Sequence, residues 1–164
     1  MVTNKDLQIN LVSRKYPKNI QDLIKRFRRP YPTDIEYIRR LDKEYNIIRD
    51  KGFVDTFQRV SDIIDLIKQK NIPHVLRGSA ASSLVCYQLG ISDIDPIKEK
   101  IPLTRFMNLC RDTQPDVDLD VPHWIRDLLI DEFHEKHPNK VARISNKVMY
   151  KPKSAMREAI RKFG

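Results

Sequence analysis

Three aspartates alternate with apolar residues in the segment 115–121, which reads Pro-Asp-Val-Asp-Leu-Asp-Val. Side chains alternate across a β-strand, so Asp116, Asp118 and Asp120 share one face of a predicted strand. Neighbouring aspartates on that face lie roughly 7 Å apart at their Cα atoms. Like charges this close repel one another unless a cation lies among them, and Mg²⁺ prefers carboxylate oxygens. The spacing therefore suits a two-metal phosphoryl-transfer site, although an acidic edge strand without chemistry has the same pattern.

A second motif, Arg77-Gly78-Ser79, precedes the small residues Ala80 and Ala81 at a predicted helix start. Backbone N–H groups and the helix dipole attract anions at such a start. Glycine allows a phosphate to approach the backbone, serine offers a hydroxyl group and arginine offers a positive charge. An ordinary serine-capped helix would show the same residues. Together with the acidic strand, however, the motif combines a triphosphate cradle with a metal site, as a nucleotidyltransferase requires.

The elements that must position these motifs follow from hydrophobic periodicity and from capping and breaking residues. In chain order, the pattern predicts helices at 20–28, 33–51 and 53–70, a strand at 72–76, helices at 80–89 and 103–108, a strand at 116–121, a helix at 122–136, a strand at 141–145 and a helix at 154–163. This order predicts an α/β fold of the helix-rich α+β kind. Because Pro30 and Pro32 break the chain, we divide it into a lead-in, 1–32, and a domain, 33–164.

Composition narrows the classes of partner. The chain has 164 residues, a net charge of +9 and a pI near 9.6, so a polyanion such as nucleic acid is the expected partner. A solvated basic surface without a partner remains the alternative. Cys86 and Cys110 lie far apart in sequence and predict reduced thiols rather than a disulfide or a zinc site. Because no apolar run could span a bilayer, we expect no membrane association and a cytoplasmic location.

Several segments, taken in order, resemble the catalytic palm of the alpha subunit of bacterial DNA polymerase III. The Gly-Ser motif and the helix after it (77–91), the segments 93–96 and 105–108, and the acidic strand (115–120) all resemble that family. The resemblance covers roughly residues 35 to 164. It implies a partial palm of the DNA polymerase beta-like nucleotidyltransferase type, with Mg²⁺ as the cofactor. It also implies DNA primer-template and dNTP as partners, together with the remaining polymerase chain or other replisome subunits.

The resemblance also implies roles for particular residues. These are catalytic metal binding by Asp116 and Asp118, triphosphate binding by Arg77, Gly78 and Ser79, and supporting contacts by Asp120 and Arg111. The family's third carboxylate is expected on a later strand, beyond residue 164. Whether this chain is itself an enzyme is therefore left open.

The sequence also departs from the family. His74-Val75-Leu76 stands where the family has a glycine-rich turn, and Ser82, Thr104 and Val121 replace a glycine, a glutamate and a phenylalanine. Three hypotheses follow. The chain is part of a DNA-directed DNA polymerase, or a non-catalytic nucleotide- or DNA-binding module derived from one, or a basic helical domain without nucleotide chemistry.

Overall fold

The computed structural model describes residues 15–107, 109–110, 113–144 and 149–163. The elements in chain order are α1 (Lys18–Lys25), α2 (Ile35–Asp50), α3 (Val54–Gln69), β1 (Val75–Arg77), a 3₁₀ turn (Gly78–Ser82), α4 (Leu84–Gln88), a second 3₁₀ turn (Leu103–Arg105), β2 (Asp118–Asp120), α5 (His123–Lys136) and α6 (Pro152–Phe163). This mixture of helices with one small sheet confirms the expected helix-rich α/β class. The chain divides into a first compact unit, 1–123, and a second, 124–164.

Helix α2 supplies one side of the core of the first unit. Its apolar residues Leu41, Tyr45 and Ile48 recur at helical spacing and are almost completely buried. The helix begins one residue later than the capping-box pattern suggested. Asp34, rather than Thr33, is the N-cap, and its Oδ1 accepts a hydrogen bond of 2.7 Å from the amide of Glu36. The carboxylate satisfies a free amide, and its negative charge interacts favourably with the positive N-terminal end of the helix dipole.

The lead-in contributes to the same core. Helix α1 packs against α3, and its buried side chains Ile20, Leu23 and Ile24 belong to the cluster that contains Tyr45. Tyr16 meets Tyr45 edge to face, with ring centroids 5.0 Å apart. Helix α1 is therefore integral to the hydrophobic core, while the division of the chain at residue 32 stays a prediction.

The sheet consists of β1 and β2, which pair antiparallel in the register Val75↔Asp120, Leu76↔Leu119 and Arg77↔Asp118. Leu76 and Leu119 are partly buried against the core, so the apolar face of the acidic strand points inward as its alternation predicted. The first strand lies later than predicted. The amide of Ile72 donates to the carbonyl of Ile67 at 3.0 Å, a hydrogen bond that closes the C-terminal end of α3 rather than joining a strand.

Helix α1 and strand β2 differ from their predictions, 20–28 and 116–121, only in their end residues, whereas three other predicted elements differ in kind. The helix expected over 80–89 is interrupted at Ser83, whose backbone is extended at φ −90° and ψ 124°. The helix expected over 103–108 is a single 3₁₀ turn, Leu103–Arg105, and Asn108 lies outside the described residues. Residues 141–144 form no strand, because the one sheet in the described part of the chain contains only β1 and β2; residue 145 lies outside that part.

The second unit contains most of α5 and all of α6. The sequence predicted both helices closely. Arg143 lies 3.2 Å from Asp127 and so ties the segment after α5 back to that helix. Large apolar side chains are exposed in this unit, among them Met156, Ile160 and Phe163 on α6. Across the described ranges, we find no helix long and apolar enough to cross a membrane.

Candidate nucleotide and metal site

The pairing of β1 with β2 brings the two sequence motifs together. Arg77 is the register partner of Asp118, and Gly78 follows directly. A Cβ atom built on Gly78 would lie 3.3 Å from Oδ2 of Asp118, so the aspartate carboxylate lies beside the position that a side chain would occupy. Gly78 also has a φ of +81°, which residues with a side chain rarely adopt. Two independent constraints, backbone conformation and space beside Asp118, therefore favour glycine here.

Asp120 and Arg77 form an ion pair across the sheet. Nε of Arg77 lies 2.8 Å from Oδ2 of Asp120, and the two side chains are 67% and 54% exposed. The two residues are diagonal neighbours on antiparallel strands, a separation that a long arginine side chain spans. An exposed pair of this kind stabilises a fold by no more than about 1 kcal/mol. Its clearer consequence is positional, since it holds the guanidinium next to the strand that carries Asp118.

The predicted metal ligands lie at and just before β2. Asp118 is exposed within the strand, and Asp116 is exposed two residues before it. Both offer carboxylate oxygens, the donors that Mg²⁺ prefers, and the bare Gly78 leaves one side of Asp118 free of a neighbouring side chain. These residues fit part of a magnesium site. Within the described ranges, however, no three His, Cys, Asp or Glu side chains are grouped closely enough to hold a metal ion.

The backbone around the Gly-Ser motif differs from the predicted long helix. Gly78–Ser82 is a 3₁₀ turn closed by the Ser82 hydroxyl, which donates to the carbonyl of Ser79 at 2.8 Å. The α-helix begins only at Leu84. Its first amides are already occupied, because the amides of Leu84 and Val85 donate to the carboxylate of Glu44 at 2.8 and 3.0 Å. These amides are therefore not available to a phosphate. The anion site expected at Arg77-Gly78-Ser79 precedes them in the chain, and its nucleotide role stays a prediction.

Glu44 was missed as a site residue by sequence reasoning. Its side chain is completely buried, and its oxygens accept from Ser83, from Leu84 and Val85, and from Arg40. Burial raises the pKa of Glu44, while the hydrogen bonds from Ser83, Val85 and Leu84 and the charge of Arg40 oppose that rise. The four groups around it all donate, which favours the carboxylate over the acid.

A signal for Glu44 was present in the sequence. The residue lies between Leu41, Tyr45 and Ile48 on the buried face of α2, where a charged side chain needs a partner. Arg40 precedes it by four residues, the spacing of a helical ion pair. Arg111, which was expected to contact phosphate, lies outside the described residues.

An open groove of about 690 Å³ lies beside this region, between α2 and the segment 97–104. Its lining comprises Ile35, Glu36, Arg39, Arg40, Lys43, Ile97, Pro102, Leu103 and Thr104. The floor is largely apolar, and the α2 side carries three cations against one acid. Arg40 is held by Glu44 and by two carbonyls, so Arg39 and Lys43 are the cations best placed to meet a ligand.

Comparison with known proteins gives the class of this chain. The sequence matches the model of the family described as "Bacterial DNA polymerase III alpha NTPase domain" over residues 10–164. The chain therefore belongs to the DNA polymerase III alpha family, as the motifs suggested.

Individual relatives agree with this family. The chain is 42% identical over 132 residues to the DNA polymerase III subunit alpha of Ureaplasma parvum, covering 78% of this chain and 13% of that protein. It is 36% identical over 126 residues to an error-prone DNA polymerase of Cutibacterium acnes, covering 76% of this chain and 11% of the relative. An error-prone DNA polymerase of Xanthomonas campestris is 30% identical over 150 residues, covering 91% of this chain and 14% of the relative. The chain thus spans only a small part of the length of these relatives.

Proposed function

We propose that this chain forms part of the palm of a DNA-directed DNA polymerase, with a fold of the DNA polymerase beta-like nucleotidyltransferase type. The observation that supports it best is the pairing of β1 with β2, which sets Gly78 against the carboxylate of Asp118. A nucleotidyltransferase needs a triphosphate cradle next to metal-binding carboxylates. Two motifs that lie apart in sequence are neighbours here, which supports such an arrangement, and the chain belongs to a polymerase family.

In this proposal, Asp116 and Asp118 hold magnesium together with a third carboxylate from a later part of the polymerase. Bound magnesium supplies charge neutralisation at the attacking oxygen and at the leaving phosphates. The reaction is the attack of a primer 3′-hydroxyl on the α-phosphate of a dNTP, with pyrophosphate as the leaving group. This chain's own contribution is to place two carboxylates and a phosphate-binding turn side by side.

The other residues of the site bind and orient. Gly78 and Ser79 present the 3₁₀ turn to the triphosphate, and Arg77 contributes its positive charge beside them. Asp120 acts through Arg77, because their ion pair fixes the guanidinium next to Asp118. The guanidinium is then already oriented when a phosphate group approaches it, so less side-chain entropy is lost on binding.

The proposed partners are a DNA primer-template, a dNTP and either the remaining polymerase chain or other replisome subunits, in the cytoplasm. The net charge of +9 suits a DNA backbone. The relatives are several times longer than this chain, so the complete active site is expected to draw on further residues.

Measuring affinity against the number of phosphates tests this function. With Mn²⁺ present, calorimetric titration of the chain should show the affinity falling from dATP to dADP to dAMP, because the turn and Arg77 bind phosphates rather than the base. Arg77→Ala should weaken dATP binding about tenfold or more, the loss of one charge-assisted contact. Arg59→Ala removes an exposed arginine from α3 and should leave binding unchanged. Equal affinity for all three nucleotides would contradict the proposed cradle.

A second candidate function is a non-catalytic nucleotide- or DNA-binding module. The groove beside α2 favours it, since Arg39 and Lys43 border an open, partly apolar channel on the same unit. Such a surface binds a nucleic-acid backbone without metal and with strong salt dependence. Metal-independent DNA binding in a chain that fails to bind dNTP would support this module instead of the polymerase site.

A further inference from the structure

The buried carboxylate of Glu44 holds both ends of the break between the 3₁₀ turn and α4. Oε2 accepts from the Ser83 hydroxyl at 2.7 Å and from the Val85 amide at 3.0 Å, while Oε1 accepts from the Leu84 amide at 2.8 Å. The Ser83 hydroxyl oxygen in turn accepts from the Cys86 amide at 3.1 Å. Glu44 and Ser83 together therefore satisfy three amides at the start of α4.

Arg40 extends this contact to the other side of the turn. Its Nε donates to Oε1 of Glu44 at 2.9 Å, and its NH2 group donates to the carbonyl of Ser82 at 2.6 Å. The same NH2 group lies 3.2 Å from the carbonyl of Ile101, in the segment that leads toward the acidic strand. One arginine thus joins α2, the end of the Gly-Ser turn and the 97–104 segment.

This arrangement costs free energy that simple packing would not require. A fully buried carboxylate is strongly destabilised unless it is paired and hydrogen-bonded, and Glu44 lies among apolar core residues on α2. Helix α4 has only five residues, too few to be stable without tertiary contacts. An apolar residue in α2 and a longer helix from Ala80 would be the simpler solution. Glu44 instead ends the turn at Ser82 and restarts the helix at Leu84.

We propose that Glu44 and Arg40 are positioning residues for nucleotide binding, acting through the backbone of the Gly78–Ser82 turn. Neither residue contacts substrate. Glu44 acts as a built-in anion at the start of α4, which fixes where the helix begins and therefore where the preceding turn ends. Arg40 holds the Ser82 carbonyl, so Gly78 and Ser79 present the same backbone to each incoming triphosphate. This role rests on the proposed function of the turn.

Arg40 restrains the end of the turn that lies away from Asp118. Gly78 lies beside Asp118 at one end of the turn, and Arg40 holds the Ser82 carbonyl at the other. Between these two points the turn has its own hydrogen bond, from the Ser82 hydroxyl to the Ser79 carbonyl. A loose Ser82 end would therefore let Gly78 and Ser79 move relative to the acidic strand.

Glu44→Gln tests the proposal with little change in side-chain volume. The amide group places an N–H donor where the surrounding groups are all donors, so at least one hydrogen bond is lost. Two properties are measured in the full chain: hydrogen exchange of the 78–85 amides, and the ratio of dATP to deoxyadenosine affinity with Mn²⁺ present. We expect exchange in 78–85 to accelerate about tenfold and the affinity ratio to fall about tenfold, with protection of α1 and α3 retained. The matched control is Asp50→Asn, an exposed carboxylate at the other end of the same helix, which should change neither property.

A milder variant covers the case in which Glu44→Gln fails to fold. Ser83→Ala removes a single hydroxyl group from the same network and should lower the affinity ratio in the same direction, by about threefold. Normal exchange in 78–85, or an unchanged affinity ratio in a folded variant, would overturn the positioning role. If the wild-type chain binds no triphosphate, the proposed function fails and the positioning role fails with it. Faster exchange in Glu44→Gln would then show a purely structural clamp.

Discussion

At the scale of single residues, Gly78 is constrained both by its backbone conformation and by its proximity to Asp118. Gly78→Ala should destabilise the chain by about 1–2 kcal/mol, because φ is +81°. The added Cβ would also press on Oδ2 of Asp118 from 3.3 Å and displace that carboxylate. We therefore expect metal-dependent dNTP binding to fall more than tenfold, beyond the effect of strain alone. Urea unfolding and calorimetric titration measure the two effects separately.

Gly52→Ala is the matched control for this prediction. Gly52 has a φ of +69°, and a Cβ there would meet nothing within 4 Å. The control should lose a similar amount of stability but keep nucleotide binding. Equal losses of nucleotide binding in the two variants would mean that Gly78 is needed only for its backbone conformation and not for the space beside Asp118.

The two cysteines should differ sharply in reactivity. Cys86 is completely buried, and burial raises its pKa to about 12, whereas Cys110 is exposed. Because the thiolate is the reacting species, native protein should titrate one thiol rapidly with a disulfide reagent at pH 8, and denatured protein should titrate two. Cys110→Ser should abolish the rapid phase and Cys86→Ser should leave it. Rapid labelling of native Cys110→Ser would contradict the buried placement of α4.

Residue types predicted the acidic strand, while the roles of its aspartates stay a prediction. The alternation of Asp116, Asp118 and Asp120 with apolar residues led to the paired strand, because one face of a strand must be buried. The proximity of Asp118 to Gly78 could not be read from the sequence, since it depends on the register of two strands. Glu44 was missed for a different reason. Hydrophobic periodicity identifies buried apolar positions, and it gives no weight to a charged residue on the same face.

At the scale of elements, α1 should behave as part of the core rather than as a separable lead-in. Ile24 is fully buried, so Ile24→Ala should destabilise the first unit by about 2–5 kcal/mol. Ile35→Ala is the control, because that side chain is 61% exposed and its loss should cost within about 0.5 kcal/mol. Urea denaturation of both variants measures the difference. An Ile24→Ala protein as stable as the control would contradict the place of α1 in the core.

The long helices and the acidic strand were predictable because their signals are local. Apolar residues at helical spacing and the left-handed Gly52 delimit α2 and α3 to within one or two residues. The helix predicted over 80–89 was wrong because its interruption is a tertiary effect. The carboxylate of Glu44 on α2 accepts hydrogen bonds from the amides of Leu84 and Val85, and the sequence of 80–89 alone does not indicate that contact.

At the scale of the whole molecule, family membership and geometry support the same conclusion. The chain belongs to the DNA polymerase III alpha family but spans only 11–14% of the length of the relatives compared above. The first unit carries Arg77, Gly78 and Asp118 together with the helices that position them. We therefore expect this chain to hold a partial nucleotide and metal site, whose remaining parts belong to a longer polymerase.

The most direct test of that claim is Mn²⁺-dependent binding of a dNTP, followed by calorimetry in the wild type and in Asp116→Asn/Asp118→Asn. A double variant with the same charge change, Asp55→Asn/Glu99→Gln, alters two exposed carboxylates elsewhere on the first unit and serves as the control. We predict that the wild type and the control bind only with metal, and that the Asp116/Asp118 variant loses this binding. Equal binding by all three proteins, or none by a folded wild type, would contradict the proposed polymerase site.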